Sequence, residues 1–188
     1  MRVTWYTAMS MDGRIAGAGD DLAFLSRIDT EGEDGDWERF AETIDAVVIG
    51  SGTLRWLHRE GHLLPLRGKP VWLVSHDEEL AARAAAADPS STPVERVAGD
   101  VATILDRIEA AGHEHVWIGG GGAIAGQALA ADRVDEVIVT VAPTALGSGP
   151  ALFDQAELPP RLFALAECRP YGKNAVRLRW IRDRTSEA

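Results

Sequence analysis

Short runs of β-branched and other apolar residues alternate along the chain with alanine-rich or amphipathic stretches. Most of the apolar runs lack polar alternation, and such continuous runs are typical of strands that are buried on both faces. The alternation therefore predicts an α/β fold in which helices cover both faces of a mostly parallel sheet. The predicted strands are residues 3–9, 46–50, 71–75, 94–97, 115–119 and 134–141.

Helices are predicted between these strands. Asp77 and Asp100 are suited to cap two of them at the N-terminus, and Gly112 is suited to end one. After Pro143 the pattern changes, because two neighbouring apolar runs predict a hairpin and therefore an antiparallel edge of the sheet. The predicted helices are residues 37–43, 77–87, 101–111 and 123–131; the hairpin strands are 162–169 and 175–181, joined by 170–173; and 17–36 and 55–70 are predicted loops.

The composition fits one globular domain of 188 residues. A formal net charge of −10 disfavours nucleic acid and anionic membrane surfaces as partners. No apolar stretch is long enough to span a membrane, and the first residues have a strand pattern instead of a signal peptide, so we expect a cytoplasmic protein. Cys168 is the only cysteine, which excludes an intramolecular disulfide, and we expect it in the core. The histidines lack the spacing of metal ligands, so no metal is predicted.

Four consecutive glycines are the strongest local signal for chemistry. Gly119, Gly120, Gly121 and Gly122 follow a predicted buried strand and precede a predicted helix. Without Cβ atoms, their backbone N–H groups can approach a phosphate at the positive end of that helix. The run therefore suits the pyrophosphate of a dinucleotide, although a tight turn without any ligand also explains it. A Rossmann fingerprint fits badly, because no carboxylate follows the next strand to bind a ribose.

Three further strand ends could contribute to the same site. Small residues follow the second strand, where backbone amides and hydroxyl groups could bind phosphate. Polar residues follow the third strand, where they suit a ribose or its 2′-phosphate, and an acidic and a basic residue lie in the turn after the first strand. The residues concerned are Gly50, Ser51, Gly52, Thr53 and Leu54 at the end of the second strand and just after it, Ser75 and His76 at the end of the third, and Asp12 and Arg14 after the first.

Two of these residues have alternative interpretations. Ser75 could equally be an ordinary helix cap. Asp12 could orient its turn through backbone hydrogen bonds instead of contacting substrate, which makes Arg14 the stronger candidate for a substrate contact.

The order of these segments resembles the dihydrofolate-reductase-like superfamily, and in particular the reductase domain of bacterial riboflavin biosynthesis and its stand-alone relatives. The similarity spans roughly residues 2 to 182. It rests on the joint order of several short motifs, each of which is weak alone. These are Ser-Met-Asp-Gly-Arg-Ile-Ala at 10–16, Gly-Ser-Gly-Thr at 50–53, the glycines at 119–122, and Val-Asp-Glu-Val at 134–137 followed by Pro143, Gly147, Gly149, Leu152 and Phe153.

The resemblance implies a three-layer fold with a central mixed, mostly parallel sheet, helices on both faces and a C-terminal antiparallel hairpin. It also implies that NADPH lies across the strand ends and transfers a hydride to a carbon–nitrogen double bond of a pyrimidine- or pteridine-related substrate. By residue, the resemblance assigns Gly50 to Leu54 and Gly119 to Ile124, including Ala123, to the cofactor phosphates. It assigns Ser75 to the adenosine ribose and Ala8 and Ile15 to the nicotinamide.

The same resemblance makes Asp21 the counterpart of the buried acid of dihydrofolate reductases. An acid near the substrate nitrogen favours imine reduction, because the nitrogen must gain a proton as the carbon gains the hydride. The alternative is that Asp21 only caps or begins a helix. The neighbouring acidic group at 31–36 lacks calcium-loop spacing and is interpreted as a solvated loop.

Two features of the sequence leave the identity of the substrate and the choice of cofactor undecided. Leu-Arg-Trp-Leu at 54–57 replaces the acidic pair and proline that usually follow this turn in riboflavin-pathway reductases, so the native substrate need not be the riboflavin intermediate. Acidic residues at 77–79 would repel a 2′-phosphate unless His76, Arg55 or a helix terminus compensates, which leaves NADH as the second choice of cofactor.

The sequence thus predicts an NADPH-dependent reductase of a heterocyclic or ribosylamino substrate. A dihydrofolate reductase and a nucleotide-binding module without catalytic activity are the alternatives. The edge strand of the closing hairpin is an exposed pairing surface, so we also predict a homodimer.

Overall fold

The predicted alternation of strands and helices is present in the computed structural model, which describes residues 1–62, 64, 66, 68–87 and 92–185. The strands are β1 (Arg2–Met9), β2 (Ala46–Gly50), β3 (Val71–Val74), β4 (Val94–Val97), β5 (His115–Gly120), β6 (Glu136–Val141), β7 (Phe163–Tyr171) and β8 (Ala175–Arg182). The helices are α1 (Asp36–Thr43), α2 (Ser51–Arg59), α3 (Glu78–Ala87), α4 (Val101–Ala110) and α5 (Gly122–Ala130), and a 3-10 helix spans Ala23–Arg27.

All eight strands belong to one sheet, in the order β4-β3-β2-β5-β1-β6-β8-β7. Strands β1 to β6 pair in parallel, whereas β8 is antiparallel to both β6 and β7. This confirms the predicted dihydrofolate-reductase-like fold with its C-terminal antiparallel hairpin. Because β2 and β5 are direct neighbours, the helices that follow them, α2 and α5, begin side by side at the same edge of the sheet.

Side chains of the central strands are buried on both faces. In β2, Ala46 and Val48 belong to a core formed with α4 and α5, whereas Val47 and Ile49 belong to a second core with α2 and α3. Continuous apolar runs are needed at these positions because both faces are covered. Asp77 and Asp100 cap α3 and α4 as predicted, since their carboxylates accept hydrogen bonds from first-turn amides.

Helix α2 was not predicted, because residues 55–70 were expected to form a loop. Its Leu54 is fully buried in the second core, and this tertiary contact outweighs the weak helical preference of the preceding serine and glycine. Positions 63, 65 and 67 of the predicted loop lie outside the described residues. The expectation for Cys168 was also wrong, since it is exposed in the outer strand β7.

The acidic segment 31–36 is solvated only in part, because Glu31 and Asp34 are exposed as predicted whereas Glu33 and Asp36 are half-buried. Glu33 and Asp36 both contact Arg169, at 2.8 and 3.4 Å, and Asp36 also accepts a hydrogen bond of 2.7 Å from Arg177. Arg177 is buried, with its guanidinium over the rings of Tyr6 and Tyr171. A buried cation needs charged partners, so these acids anchor the segment to the β7–β8 hairpin. Among the described helices, none is long and apolar enough to cross a membrane.

Candidate functional site

A cavity of about 420 Å³ lies where α2 and α5 begin, at the carboxyl ends of β2 and β5. Crevices outside the carboxyl ends of strands are the usual ligand sites of open α/β sheets. The cavity unites the two small-residue segments that the sequence singled out. Its lining includes Trp5, Thr7, Ile15, Ala16, Asp20, Leu22, Gly50, Ser51, Gly52, Thr53, Trp56, Val74, Gly119, Gly120, Gly121, Gly122, Ala123, Ile124, Pro150 and Asp154.

Neighbouring residues leave little or no room for a side chain at three of the four consecutive glycines. Gly120 has φ +144°, and a Cβ there would lie 2.4 Å from the Thr53 hydroxyl oxygen. A Cβ on Gly122 would lie 2.3 Å from the carbonyl oxygen of Ala151, and one on Gly119 would be crowded by β2 side chains. Close packing of the glycine backbone on neighbouring side chains, and at Gly122 on the backbone of Ala151, therefore explains much of the glycine run.

Two glycines are not explained by packing. A Cβ on Gly52 would meet no atom within 4 Å, and one on Gly121 would only reach the Thr53 hydroxyl at 4.0 Å. Both residues line the cavity. Their missing side chains leave backbone open to a ligand, which fits the phosphate interpretation better than the turn without a ligand.

The N-termini of α2 and α5 both lack a side-chain cap. Gly50 and Gly121 occupy the cap positions, and no side chain there accepts a hydrogen bond from a first-turn amide. Helix α4 differs, because Asp100 accepts a hydrogen bond of 2.9 Å from the Thr103 amide. Uncapped N–H groups and the positive ends of two helix dipoles therefore converge on one cavity, which is an environment suited to an anion.

The other residues predicted to bind the cofactor, Ala8, Leu54, Ser75 and His76, are not among those that line the cavity. Ala8 follows the lining residue Thr7 in β1, so its side chain points to the other face of the sheet. Leu54 is fully buried and can offer only its backbone. Ser75 is buried, and its hydroxyl accepts a hydrogen bond of 3.0 Å from the amide of Asp77, the residue that caps α3, while His76 is exposed.

Asp12 has an internal structural role. Its carboxylate accepts hydrogen bonds from the Ser10 hydroxyl at 2.6 Å and from the amides of Leu146 and Gly147 at 3.0 and 2.7 Å. These bonds, that from Ser10 above all, hold the pKa of Asp12 well below its usual range. The carboxylate therefore ties the turn after β1 to the segment after β6, which agrees with the interpretation of Asp12 as an orienting residue.

Arg14 is also engaged with the protein itself. Its guanidinium donates a hydrogen bond of 3.0 Å to the carbonyl of Gly149, and its backbone forms an isolated antiparallel bridge with Ala151. Its buried Nε has no hydrogen-bond partner. Arg14 thus braces residues 149–151, of which Pro150 lines the cavity.

Asp21 is exposed, and its carboxylate accepts a hydrogen bond of 2.8 Å from the Ala23 amide at the start of the 3-10 helix. This bond holds the turn that leads into the 3-10 helix, whose cap position is Leu22, so the contact seen for Asp21 is a structural one at the start of a helix. Asp21 lines a second cavity, of about 740 Å³, which shares Leu22 and Trp56 with the first. The adjacent Asp20 lines the first cavity.

Several lining residues were not among the predicted site residues. Trp5 and Thr7 alternate along β1, and the strand pattern alone could have placed them on one face. The Nε1 of Trp5 is buried without a hydrogen-bond partner. Asp154 carried no sequence signal, because it lies in an irregular segment, and Asp20 was passed over because the resemblance pointed to its neighbour Asp21. No group of three or more potential metal ligands occurs within the described residues.

This topology, with helix N-termini at the carboxyl edge of a mixed sheet, defines a dihydrofolate-reductase-like α/β protein. The chain belongs to the RibD C-terminal domain family, which matches residues 1–176. The family is the one that the order of motifs suggested.

Individual relatives agree with this membership. The uncharacterized protein YwjB of Bacillus subtilis is 27% identical over 180 residues, covering 94% of this chain and 95% of YwjB. A putative riboflavin biosynthesis protein from Shewanella sp. PV-4 is 25% identical, with a TM-score of 0.84 over 98% of this chain and 100% of that one.

A bifunctional protein shares the fold. The diaminohydroxyphosphoribosylaminopyrimidine deaminase/5-amino-6-(5-phosphoribosylamino)uracil reductase of Thermotoga maritima is 16% identical, with a TM-score of 0.72 over 97% of this chain and 56% of that one. The present chain therefore corresponds to about half of that protein.

The glycine contacts generate a stability prediction. Gly120→Ala should destabilise the protein by about 1–3 kcal/mol or more, because alanine is strained at φ +144° and its Cβ collides with Thr53. Gly52→Ala is the matched control, since it lies in the first turn of α2 with open space around it and should leave stability within about 0.5 kcal/mol. Urea unfolding of both variants measures the difference. Equal stabilities would contradict the described contact between Gly120 and Thr53.

Proposed function

We propose that the protein is an NADPH-dependent reductase that transfers a hydride to a heterocyclic or ribosylamino substrate. The observation that carries the proposal is the convergence of two uncapped helix N-termini on one cavity in a member of the RibD C-terminal domain family. Bound NADPH would supply the hydride, and the protein would supply binding, orientation and a proton.

The cavity fits the phosphates of a dinucleotide. The first amides of α2 and α5 are available as donors, and the hydroxyls of Ser51 and Thr53 lie on the same lining. Gly52 and Gly121 keep the approach to these amides clear. Ile15, with the adjoining Ala16, provides an apolar wall for the nicotinamide, in agreement with the role that the resemblance gives it.

Ion pairs at the end of β3 support the choice of NADPH over NADH. The Asp77 carboxylate lies 3.8 Å from the Arg55 guanidinium and 3.2 Å from that of Arg83. Arg96 lies 3.6 Å from Glu78 and donates a hydrogen bond to the Ser75 carbonyl. These cations offset the acidic residues that would repel a 2′-phosphate. Because these ion pairs are solvent-exposed, each is weak and contributes little to the binding of a 2′-phosphate. NADH therefore remains the second choice of cofactor.

Asp21 is the proposed source of the proton that the substrate nitrogen gains. It lies in the second cavity, which meets the cofactor cavity at Leu22 and Trp56. An exposed carboxyl group can relay a proton from water while the backbone bond from Ala23 fixes its position. Membership of the RibD C-terminal domain family favours a pyrimidine-type substrate over dihydrofolate.

Binding of NADPH is the first test of this function. Titration of the protein should quench tryptophan emission saturably, because Trp5 and Trp56 line the cavity, and NADPH should bind more tightly than NADH. Turnover with an offered heterocycle would then separate an active reductase from an inactive nucleotide-binding module. Failure of both dinucleotides to bind, confirmed by calorimetry, would contradict the proposed cofactor site.

We also propose that the protein is a homodimer formed through the hairpin. Among the described strands β7 pairs only with β8, and it leaves Leu165 exposed to 58%. Val176 and Ile181 of β8 are exposed to 40% and 42%. A second copy that pairs with the β7 edge would satisfy its open backbone groups and could cover Leu165 and Val176, which lie on the same face of the hairpin.

Sedimentation equilibrium at micromolar concentration should therefore give about twice the mass of one chain. Leu165→Lys should shift the equilibrium toward monomer, because the charge would be buried in the dimer. A monomer at all concentrations tested would contradict the proposal.

A further inference from the structure

We propose that the acceptor is a planar heterocycle that carries no phosphate, and that it stacks on Trp56 in the second cavity. This inference rests on the proposed reductase function and names the substrate class of that function. It departs from the phosphoribosylated pyrimidine named for the Thermotoga relative.

The position of the second cavity suits an acceptor. It lies between the start of the 3-10 helix and the end of α2, and it shares Leu22 and Trp56 with the cofactor cavity. Hydride transfer requires the two reacting rings to approach within about 3–3.5 Å. A ring bound beside Trp56 would lie next to the cofactor cavity, whereas the other described cavities do not share this wall.

The Trp56 indole is held in a defined orientation. Its ring is half-buried and stacks on the His62 imidazole, with 5.1 Å between centroids and 23° between planes. Leu22 and Leu25 add apolar surface to the same cavity. An ordered indole with apolar neighbours favours a flat aromatic ligand, because stacking is tolerant of the substituents on the ring.

The charges around the cavity disfavour a phosphate ester. Arg59 is the single arginine or lysine among the described residues that line either cavity, and its Nε already donates a hydrogen bond of 2.9 Å to Glu60. Asp21 and Glu60 add carboxylates to the lining of the second cavity. Phosphate recognition needs free cations or amides, whereas carboxylates accept hydrogen bonds from ring N–H and amino groups.

The test uses two probes, without cofactor. One probe is 5,6-diaminouracil, a planar pyrimidine without phosphate, and the other is ribose 5-phosphate. Calorimetry should detect binding of the pyrimidine. Any binding of the sugar phosphate should be unaffected by Arg59→Gln, because the uncapped helix ends that suit a phosphate line the cofactor cavity and Arg59 lines only the second cavity. The pyrimidine affinity should fall about tenfold in Trp56→Leu and stay within about threefold in Trp56→Phe, which keeps a stacking ring.

Trp37→Leu is the matched control, because Trp37 is a partly exposed tryptophan of α1 that lines neither cavity. It should leave pyrimidine affinity unchanged, and circular dichroism should confirm that all three variants fold. The inference is overturned if diaminouracil does not bind, if Trp56→Leu binds it as well as the unaltered protein does, or if ribose 5-phosphate binds and Arg59→Gln abolishes that binding.

NADPH titration of the same preparations separates the two proposals. NADPH binding without pyrimidine binding would overturn only the inference about the acceptor. Loss of NADPH binding would instead overturn the proposed cofactor, whatever the pyrimidine result.

Discussion

Parallel pairing of β2 with β5 is the constraint on which the site depends. It places the starts of α2 and α5 side by side, so that two sets of uncapped amides face one cavity. The approach is close enough that Gly120 accepts no side chain beside Thr53. The fold and the binding chemistry therefore have one origin. The pairing of β2 with β5 that joins the two strand ends also positions the amide donors that a phosphate would use.

A second set of interactions holds the antiparallel end of the sheet. Arg177 is buried between Tyr6 and Tyr171 and donates hydrogen bonds to Asp36 and Thr140. Burial raises the pKa of Tyr6 to about 12, so this ring stays neutral under the cation. The start of α1 is fixed by this charged cluster together with the packing of the Trp37 ring on Tyr6 and Trp117.

The sequence predicted the features that depend on local patterns. Continuous apolar runs identified all the central strands, and the aspartate caps at Asp77 and Asp100 were recognised because capping involves only adjacent residues. Helix α2 was missed because the burial of Leu54, a tertiary contact, decides it. The engagement of Asp36 by Arg177 was missed for a similar reason, since the partners are 141 residues apart. The two cavities meet at Trp56 because segments far apart in the sequence pack together there, so no local pattern predicts their meeting.

The central claim is that the first amides of α2 and α5 bind the phosphates of the cofactor. Amide chemical shifts recorded by NMR during an NADPH titration test it most directly. The account predicts that the amides of Gly52, Thr53, Gly122 and Ala123 shift strongly, whereas that of Thr103, in the capped helix α4, does not. Saturable NADPH binding that leaves those four amides unmoved would contradict it.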